Sequence, residues 1–394
     1  MNPSASPKPF IAIACGGTGG HLFPGLAVAQ QLQERGCDVA LLISPKEVDQ
    51  QAVKSVLGME IFTLPAVGLQ NRNYFSFAKS FWNSFRATQK FFKKRRPAAV
   101  LAMGGFTSAP PIFSAKFCGA KTFLHESNTI PGRANRLLAR FVDAAFIGFP
   151  ETAARLLAKK TLVTGTPVRP QFQIPAAAEC RVALGLDASC LTILVVGGSQ
   201  GARGLNDLVL SALPLLKNYG WQFLHLTGAN DFERVNAAYA ANGIKAVVKP
   251  FLAEMNLALG AATACISRSG ASSLAEMAAM RLPSLLVPLP TAADNHQFFN
   301  ALAFEKTGAA HLFSQKVTPP KEVGELMVKM FAGMISKLVE NTEERAKMQS
   351  ALAQWHAPEA AAEIAKSILS RLENGVASVP KITAAGEMNL KVVA

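Results

Sequence analysis

Short unbroken apolar runs recur along this chain, each followed by glycines or a polar cluster. Phe10-Ile11-Ala12-Ile13-Ala14-Cys15 is the first. Such a run reads as a strand buried on both faces. A turn, Gly16-Gly17-Thr18-Gly19-Gly20, and an apolar helix from Leu22 to Gln33 follow, then a second strand, Val39 to Ile43. This strand–helix–strand order predicts a parallel sheet with helices on both faces. Ala98–Met103, Lys121–His125 and Ala144–Ile147 read as further strands of the same sheet. A second start lies at Leu191–Val196, with its own turn, Gly197-Gly198-Ser199-Gln200-Gly201, and a helix from Leu205 to Leu216. Strands near Trp221–Leu226, Ala246–Val248, Ala264–Ser267 and Ser284–Val287 continue it. Two similar α/β domains follow from this, joined by the Pro/Gly-textured Gly165 to Pro170. The first covers 10–168 and the second 169–356, with helices at 321–340 and 343–371 broken at His356-Ala357-Pro358. The helix at 358–372 is expected to cross back to the first domain, and residues 1–9 and 373–394 to be loose tails.

One helical pattern stands apart. Phe77, Ala78, Phe81, Trp82 and Phe85 fall on one stripe, and Lys93, Lys94, Arg95 and Arg96 follow. Aromatics beside a basic cluster suit an anionic membrane interface or stacking on single-stranded nucleic acid. A core-facing helix with a basic outer face is the plainer reading.

Charge sharpens this. The 394 residues carry a formal +14, yet only 17% of them are charged. Up to Val168 there are 20 Lys and Arg against 8 Asp and Glu; beyond it, 20 against 18. The excess therefore sits in the first domain and points to an anionic partner there. The uncharged run Pro97 to Ala115 is broken by Gly104, Gly105, Pro110 and Pro111, and the apolar run Phe10 to Cys15 is short and leads into glycines, so no membrane-spanning helix is expected. No export signal is evident, so a cytosolic protein is expected. Six cysteines without metal spacing read as free thiols.

The candidate chemistry follows the strand ends, where open α/β sheets bind ligands. Gly17, Gly19 and Gly20 let a backbone approach an anion at a helix start, and His21 follows as a candidate base. The turn lacks GxGxxG and the P-loop ending, which weakens a nicotinamide or ATP reading. Gly104 and Gly105 form a second turn on the same sheet. His125-Glu126-Ser127-Asn128 leads to Asn135; Thr129 stands where a zinc HExxH motif needs histidine. Arg268 precedes a small-residue helix start, Gly270 to Ser273, with Glu276 able to grip a ribose diol. Asp294, Asn295, His296, Gln297 and Asn300 suit sugar hydroxyls, although a tight turn or helix cap explains each of these motifs as well.

Taken in order, GGTGGHLFPGLAVA, GGF-TSAPP, HESNTIPGRANR, GTPVRP, GGSQGAR, SRSGASSLAE and DNHQFFNA resemble one family from about Phe10 to Leu372. It is the bacterial transferases that add N-acetylglucosamine to undecaprenyl-pyrophosphoryl-N-acetylmuramoyl-pentapeptide in peptidoglycan synthesis. The resemblance implies two Rossmann-like domains in a GT-B arrangement, with the active site in the cleft between them. It implies an inverting hexosyltransferase that makes lipid II from lipid I. By that resemblance His21 faces the acceptor, where it is the candidate base. Thr18, Gly19, Gly20, Arg169, Ser199, Phe251, Leu252, Arg268, Ser272, Ser273, Glu276, Gln297 and Asn300 bind the UDP-sugar. Gly17, Gly104, Gly105, His125, Glu126, Asn128 and Asn135 bind the acceptor. Partners are UDP-N-acetylglucosamine, the lipid-linked muramoyl-pentapeptide and an anionic membrane surface, not nucleic acid, with other cell-wall synthesis proteins left open. The protein is expected at the cytoplasmic face of the inner (plasma) membrane as a peripheral protein. No cofactor held by the protein and no metal site is implied; stimulation by a free divalent cation stays open. Phe106 stands where many members carry Tyr, and Ser127 where Gln is common.

Overall fold

The computed structural model describes residues 8–46, 49–50, 53, 58–66, 74–198, 200–315 and 321–376. The first domain runs β1 (Phe10–Ala14), α1 (Gly19–Glu34), β2 (Asp38–Ile43), β3 (Glu60–Thr63), α2 (Tyr74–Lys94), β4 (Ala99–Ala102), α3 (Ala109–Phe117), β5 (Lys121–Glu126), α4 (Arg133–Leu138), β6 (Ala144–Ile147) and β7 (Thr161–Val163). The second runs α5 (Ala177–Ala183), β8 (Thr192–Val196), α6 (Arg203–Leu216), β9 (Gln222–Leu226), α7 (Phe232–Ala241), β10 (Ala246–Lys249), α8 (Met255–Ala261), β11 (Ala264–Ser267), α9 (Ala271–Ala279), β12 (Ser284–Leu286), α10 (His296–Lys306) and β13 (His311–Leu312). Three helices end the described residues: α11 (Lys321–Glu340), α12 (Thr342–Trp355) and α13 (Ala360–Val376).

Both sheets are parallel. Their orders are β3-β2-β1-β4-β5-β6-β7 and β10-β9-β8-β11-β12-β13. In each, the strand order reverses beside the first strand, which opens a crevice at the carboxyl ends of the central pair. The glycine turn after β1 and the Gly104–Gly105 turn after β4 flank one crevice. The Gly197 turn after β8 and Arg268–Ser273 after β11 flank the other. The loops singled out by their glycines thus converge because of topology. Ser199 lies outside the described residues.

Strand side chains alternate between two cores. Ile11, Ile13 and Cys15 join one cluster, and Phe10, Ala12 and Ala14 the other. Into the first cluster the chain inserts its last helix: Ala361, Ile364, Ala365 and Ile368 of α13 pack with Leu22, Leu26 and Leu32. This helix extends to Val376, beyond the Leu372 end read from the sequence. Of the expected loose tails, only 8–9 and 373–376 fall within the described residues, the latter as the end of α13. The chain crosses between domains at two adjoining points. A Cβ on Gly165 (φ +78°) would lie 2.4 Å from the Cβ of Ala357. Phe149, at the end of the first domain, packs at a tilt against the rings of Phe304 and Trp355 of the second.

α2 turns its aromatic stripe outward rather than into the core. Ser80, Ser84, Thr88 and Phe92, four residues apart, are its buried positions. Trp82 is 53% exposed and Phe75 83%. Phe81 and Phe85 are half-buried, against Phe113 and Phe117 of α3, so the aromatics build an outer layer over the protein's surface. Arg86 lies over the Trp82 ring, 5.5 Å from its centroid. Lys93, Lys94 and Arg96 are exposed. Arg95 does not belong with them: it pairs with Asp38 and Glu60 and covers the ring of Phe10, so its charge is spent holding α2 to β2 and β3.

Candidate active site

His21 lies in the first turn of α1, whose N-cap is Thr18. Its Nδ1 is 3.1 Å from the Thr18 hydroxyl. The ring rests on the second glycine turn. A Cβ on Gly104 would come within 2.9 Å of His21 Nε2, and one on Gly105 within 3.1 Å of Nδ1. With φ at +113° and +78°, these two glycines form a floor that no side chain could replace. Burial holds the His21 pKa below its ordinary 6.5, helped by Lys46 and His296 and opposed by Glu126 and Asp49. The imidazole is therefore neutral at pH 7. With Nδ1–H donating to Thr18, Nε2 keeps the lone pair of a base.

A residue the sequence reading passed over holds the first turn. Asp49 is fully buried, and its Oδ2 accepts from the Gly17 amide at 2.6 Å and from the Ser44 amide and hydroxyl. Lys46 Nζ donates to the Gly17 carbonyl. The Gly17 amide expected to meet the acceptor is thus already taken by an internal carboxylate. Only an acid close after β2 marked Asp49, and such acids usually stay in solvent.

The HESN motif is also turned inward. His125 is fully buried, with Nε2 on the Gly165 carbonyl and Nδ1 near Ser127 Oγ. Glu126 accepts four bonds, from the Asn128 amide and side chain, the Gly132 amide and Asn135 Nδ2. Both carboxylate oxygens are saturated, so Glu126 shapes the loop and has nothing left for a hydroxyl. Asn135 stands beside His21 over Gly104, and its Oδ1 is buried without a partner.

In the second domain Glu276, on α9, pairs with Arg169 at 3.5 Å, both largely buried. Burial raises the Glu276 pKa to about 7 against the pull of Arg169. The Arg169 guanidinium lies over Phe23 of α1, 4.1 Å from its centroid, and over Phe172. Since α1 also packs on α9, the helices bearing His21 and Glu276 meet across the domain boundary. Gly270 caps α9 without a side-chain bond, and Ser272 and Ser273 are half-buried in its first turn. Free amides at such a start favour an anion. Phe251 is exposed, whereas Leu252 is buried in the second core.

Three expected donor contacts have other work in this structure. Arg268 Nη1 donates to the Val287 and Pro288 carbonyls and to Gln315, tying β11 to the end of β12; burial lowers its pKa to about 10, so it stays charged. Asn300 is fully buried and latches the domains together: its Oδ1 accepts from the Thr129 amide and hydroxyl and its Nδ2 donates to Asn128 Oδ1. Gln297 Oε1 accepts from the Leu289 amide. Beside that latch, Asp294 bridges to Arg133 and Arg136 of α4. Asp294 and Asn295 both adopt positive φ to make this turn.

Two Rossmann-type domains face each other through glycine turns and a buried carboxylate at their switch points, the GT-B arrangement that sugar-nucleotide enzymes share, and the family match makes this one a glycosyltransferase. Residues 11–147 match the glycosyltransferase family 28 N-terminal domain, and 192–364 the glycosyltransferase family 28 C-terminal domain. The chain belongs to this family, and within it to the UDP-N-acetylglucosamine–N-acetylmuramyl-(pentapeptide) pyrophosphoryl-undecaprenol N-acetylglucosamine transferases. The transferase of that name from Synechocystis sp. is 35% identical over 92% of this chain and 98% of its own. The one from Microcystis aeruginosa is 36% identical over 82% and 88%. The crystal structure of Acinetobacter baumannii MurG superposes with a TM-score of 0.69 at 27% identity, covering 92% of this chain and all of that one.

Proposed function

We propose that this protein transfers N-acetylglucosamine from UDP-N-acetylglucosamine to the muramoyl 4-hydroxyl of undecaprenyl-pyrophosphoryl-N-acetylmuramoyl-pentapeptide, with inversion, turning lipid I into lipid II. The observation that carries this reading is the pairing of a neutral His21 on a glycine floor with Glu276–Arg169 across the domain boundary. In the reaction, the acceptor oxygen attacks the anomeric carbon and its proton passes to His21 Nε2. The bond to UDP breaks, and its electron pair stays on the leaving phosphate oxygen. Negative charge then builds where the α9 amides and Arg169 stand. Donor binding parts Arg169 from Glu276, freeing one for the diphosphate and the other for the ribose diol. The deciding assay is UDP release from UDP-N-acetylglucosamine with and without the muramoyl lipid. Release should depend on the lipid; release that ignores it would overturn the reading.

The acceptor's lipid places the reaction at a membrane. No helix among the described residues is long and apolar enough to cross one. The outward aromatics of α2 and α3, with Arg86, Lys93, Lys94 and Arg96 nearby, support peripheral docking on an anionic, cytoplasm-facing leaflet. Replacing both Phe81 and Trp82 by serine should weaken binding to anionic vesicles at least tenfold, since each large apolar side chain contributes about 1.5–3 kcal/mol when buried. The fold should persist, because the sheet-facing positions are Ser80, Ser84, Thr88 and Phe92. Undiminished vesicle binding by the folded double variant would remove this face from the membrane.

A further inference from the structure

At the end of the second domain opposite the cleft, a cavity of about 320 Å³ opens before β8, β11 and β12. Leu191, Thr263 and Pro283, each just ahead of one of those strands, line it. Three arginines also line it, Arg181, Arg281 and Arg345, and no Asp or Glu does. None of the three makes a salt bridge among the described residues. Arg181 and Arg345 are held in place by neutral acceptors: Arg181 by the Ala261 and Ala188 carbonyls and Thr263 Oγ1, Arg345 by the Leu338 and Val339 carbonyls and Thr342 Oγ1. These bonds fix the guanidiniums without neutralising them. Arg281 Nε is buried with no partner at all.

The backbone at Arg281 points the same way. Arg281 sits just past the end of α9 with φ +52°. Its amide bonds to the Ala278 carbonyl and the Leu282 amide to that of Met277, the helix-ending motif whose left-handed position usually holds glycine. An L side chain there is strained, and such strain persists where a side chain is needed in place. Here it keeps a third guanidinium at a cavity that already holds two. The remaining wall is largely apolar, with Ile174 and Leu191 exposed at the rim.

We propose that this cavity binds a small amphiphilic phosphate: an anionic head taken by Arg181, Arg281 and Arg345, and a short apolar body laid against Ile174, Leu191 and Leu259. The volume falls in the range of small-molecule sites. Bidentate guanidinium geometry favours phosphate over a simple point-charge attraction.

The test is calorimetric titration of the full chain with monomeric octyl phosphate, with inorganic phosphate and octyl glucoside as controls. Octyl phosphate should bind one to one, at least tenfold more tightly than either control. Arg281→Gly should weaken it at least tenfold while melting at the same or a higher temperature, because it removes both the guanidinium and the strain. A merely structural arginine would instead lower the melting temperature and leave octyl phosphate binding unchanged, which would overturn the proposal. Binding that is equal in Arg281→Gln and the unaltered protein would overturn it too. Vesicles carrying phosphatidic acid settle the source. If Arg281→Gly alters only the response to soluble octyl phosphate, the ligand is a free phosphoester; if it also weakens vesicle binding, the head comes from a lipid.

Discussion

His21→Ala should lower kcat by about 10²–10⁴, the usual contribution of a general base, with a smaller change in the KM for the lipid acceptor. The imidazole sits on Gly104 and Gly105 rather than inside either core, so the variant should fold. The pH dependence has a fixed sign. The His21 pKa is pushed below 6.5, so the basic form prevails at neutral pH and the wild-type rate should be flat there. It should fall tenfold per unit only below that depressed pKa, and this acidic limb should vanish in the variant. An intact kcat with a raised acceptor KM would make His21 a binding group for the pyrophosphate instead. Single-turnover rates with saturating acceptor separate the two.

Glu276→Gln should raise the KM for UDP-N-acetylglucosamine by about 10–100-fold, the worth of a hydrogen bond to a charged group. The same change should stabilise the donor-free protein at alkaline pH. Burial lifts the Glu276 pKa to about 7 from the 4.5 of an open chain. The folded state therefore holds a proton that the unfolded state has released between those values. Stability falls as pH rises through that window, and by pH 8 the buried carboxylate costs about 3 kcal/mol. Glutamine keeps the shape and a bond to Arg169 but carries no charge. Its melting temperature should match wild type near pH 4 and exceed it at pH 8. Identical melting curves at both pH values would show that the Arg169 pair compensates fully for burial. The residue that is to grip the donor's ribose is on this account a liability until the donor arrives.

The strands buried on both faces were legible because continuous apolar runs such as Phe10–Cys15 admit few other readings. The turns were legible because glycine marks backbone that other residues avoid. Three of the four edge strands were not: β3, β7 and β13 are short and half-exposed, and no apolar run announces them as Ala246–Val248 announces β10. α2 stayed open between an outward and a core-facing reading for a related reason. Its inner face is small and polar, and its large side chains point away from the sheet. Within the site, the residue types were legible but their partners were not. Glu126, Arg268 and Asn300 stand at strand ends or helix starts where ligands bind, yet each is consumed by protein groups. Asn300 meets Thr129 from 171 residues away, a pairing that only the contact of the two domains creates.

The return of α13 to the first domain reverses the order in which the protein can be finished. Leu22, Leu26 and Leu32 are made early, but the side chains that cover them, Ile364, Ala365 and Ile368, follow only after the whole second domain. The second domain closes its core with residues no later than Trp355. The domain made first is therefore completed after the second, and while the second is being made it carries an uncovered apolar groove. A nascent chain stalled before Ala360 would hold a finished sugar-nucleotide domain beside an unfinished partner, so assembly of the whole active site waits on α13.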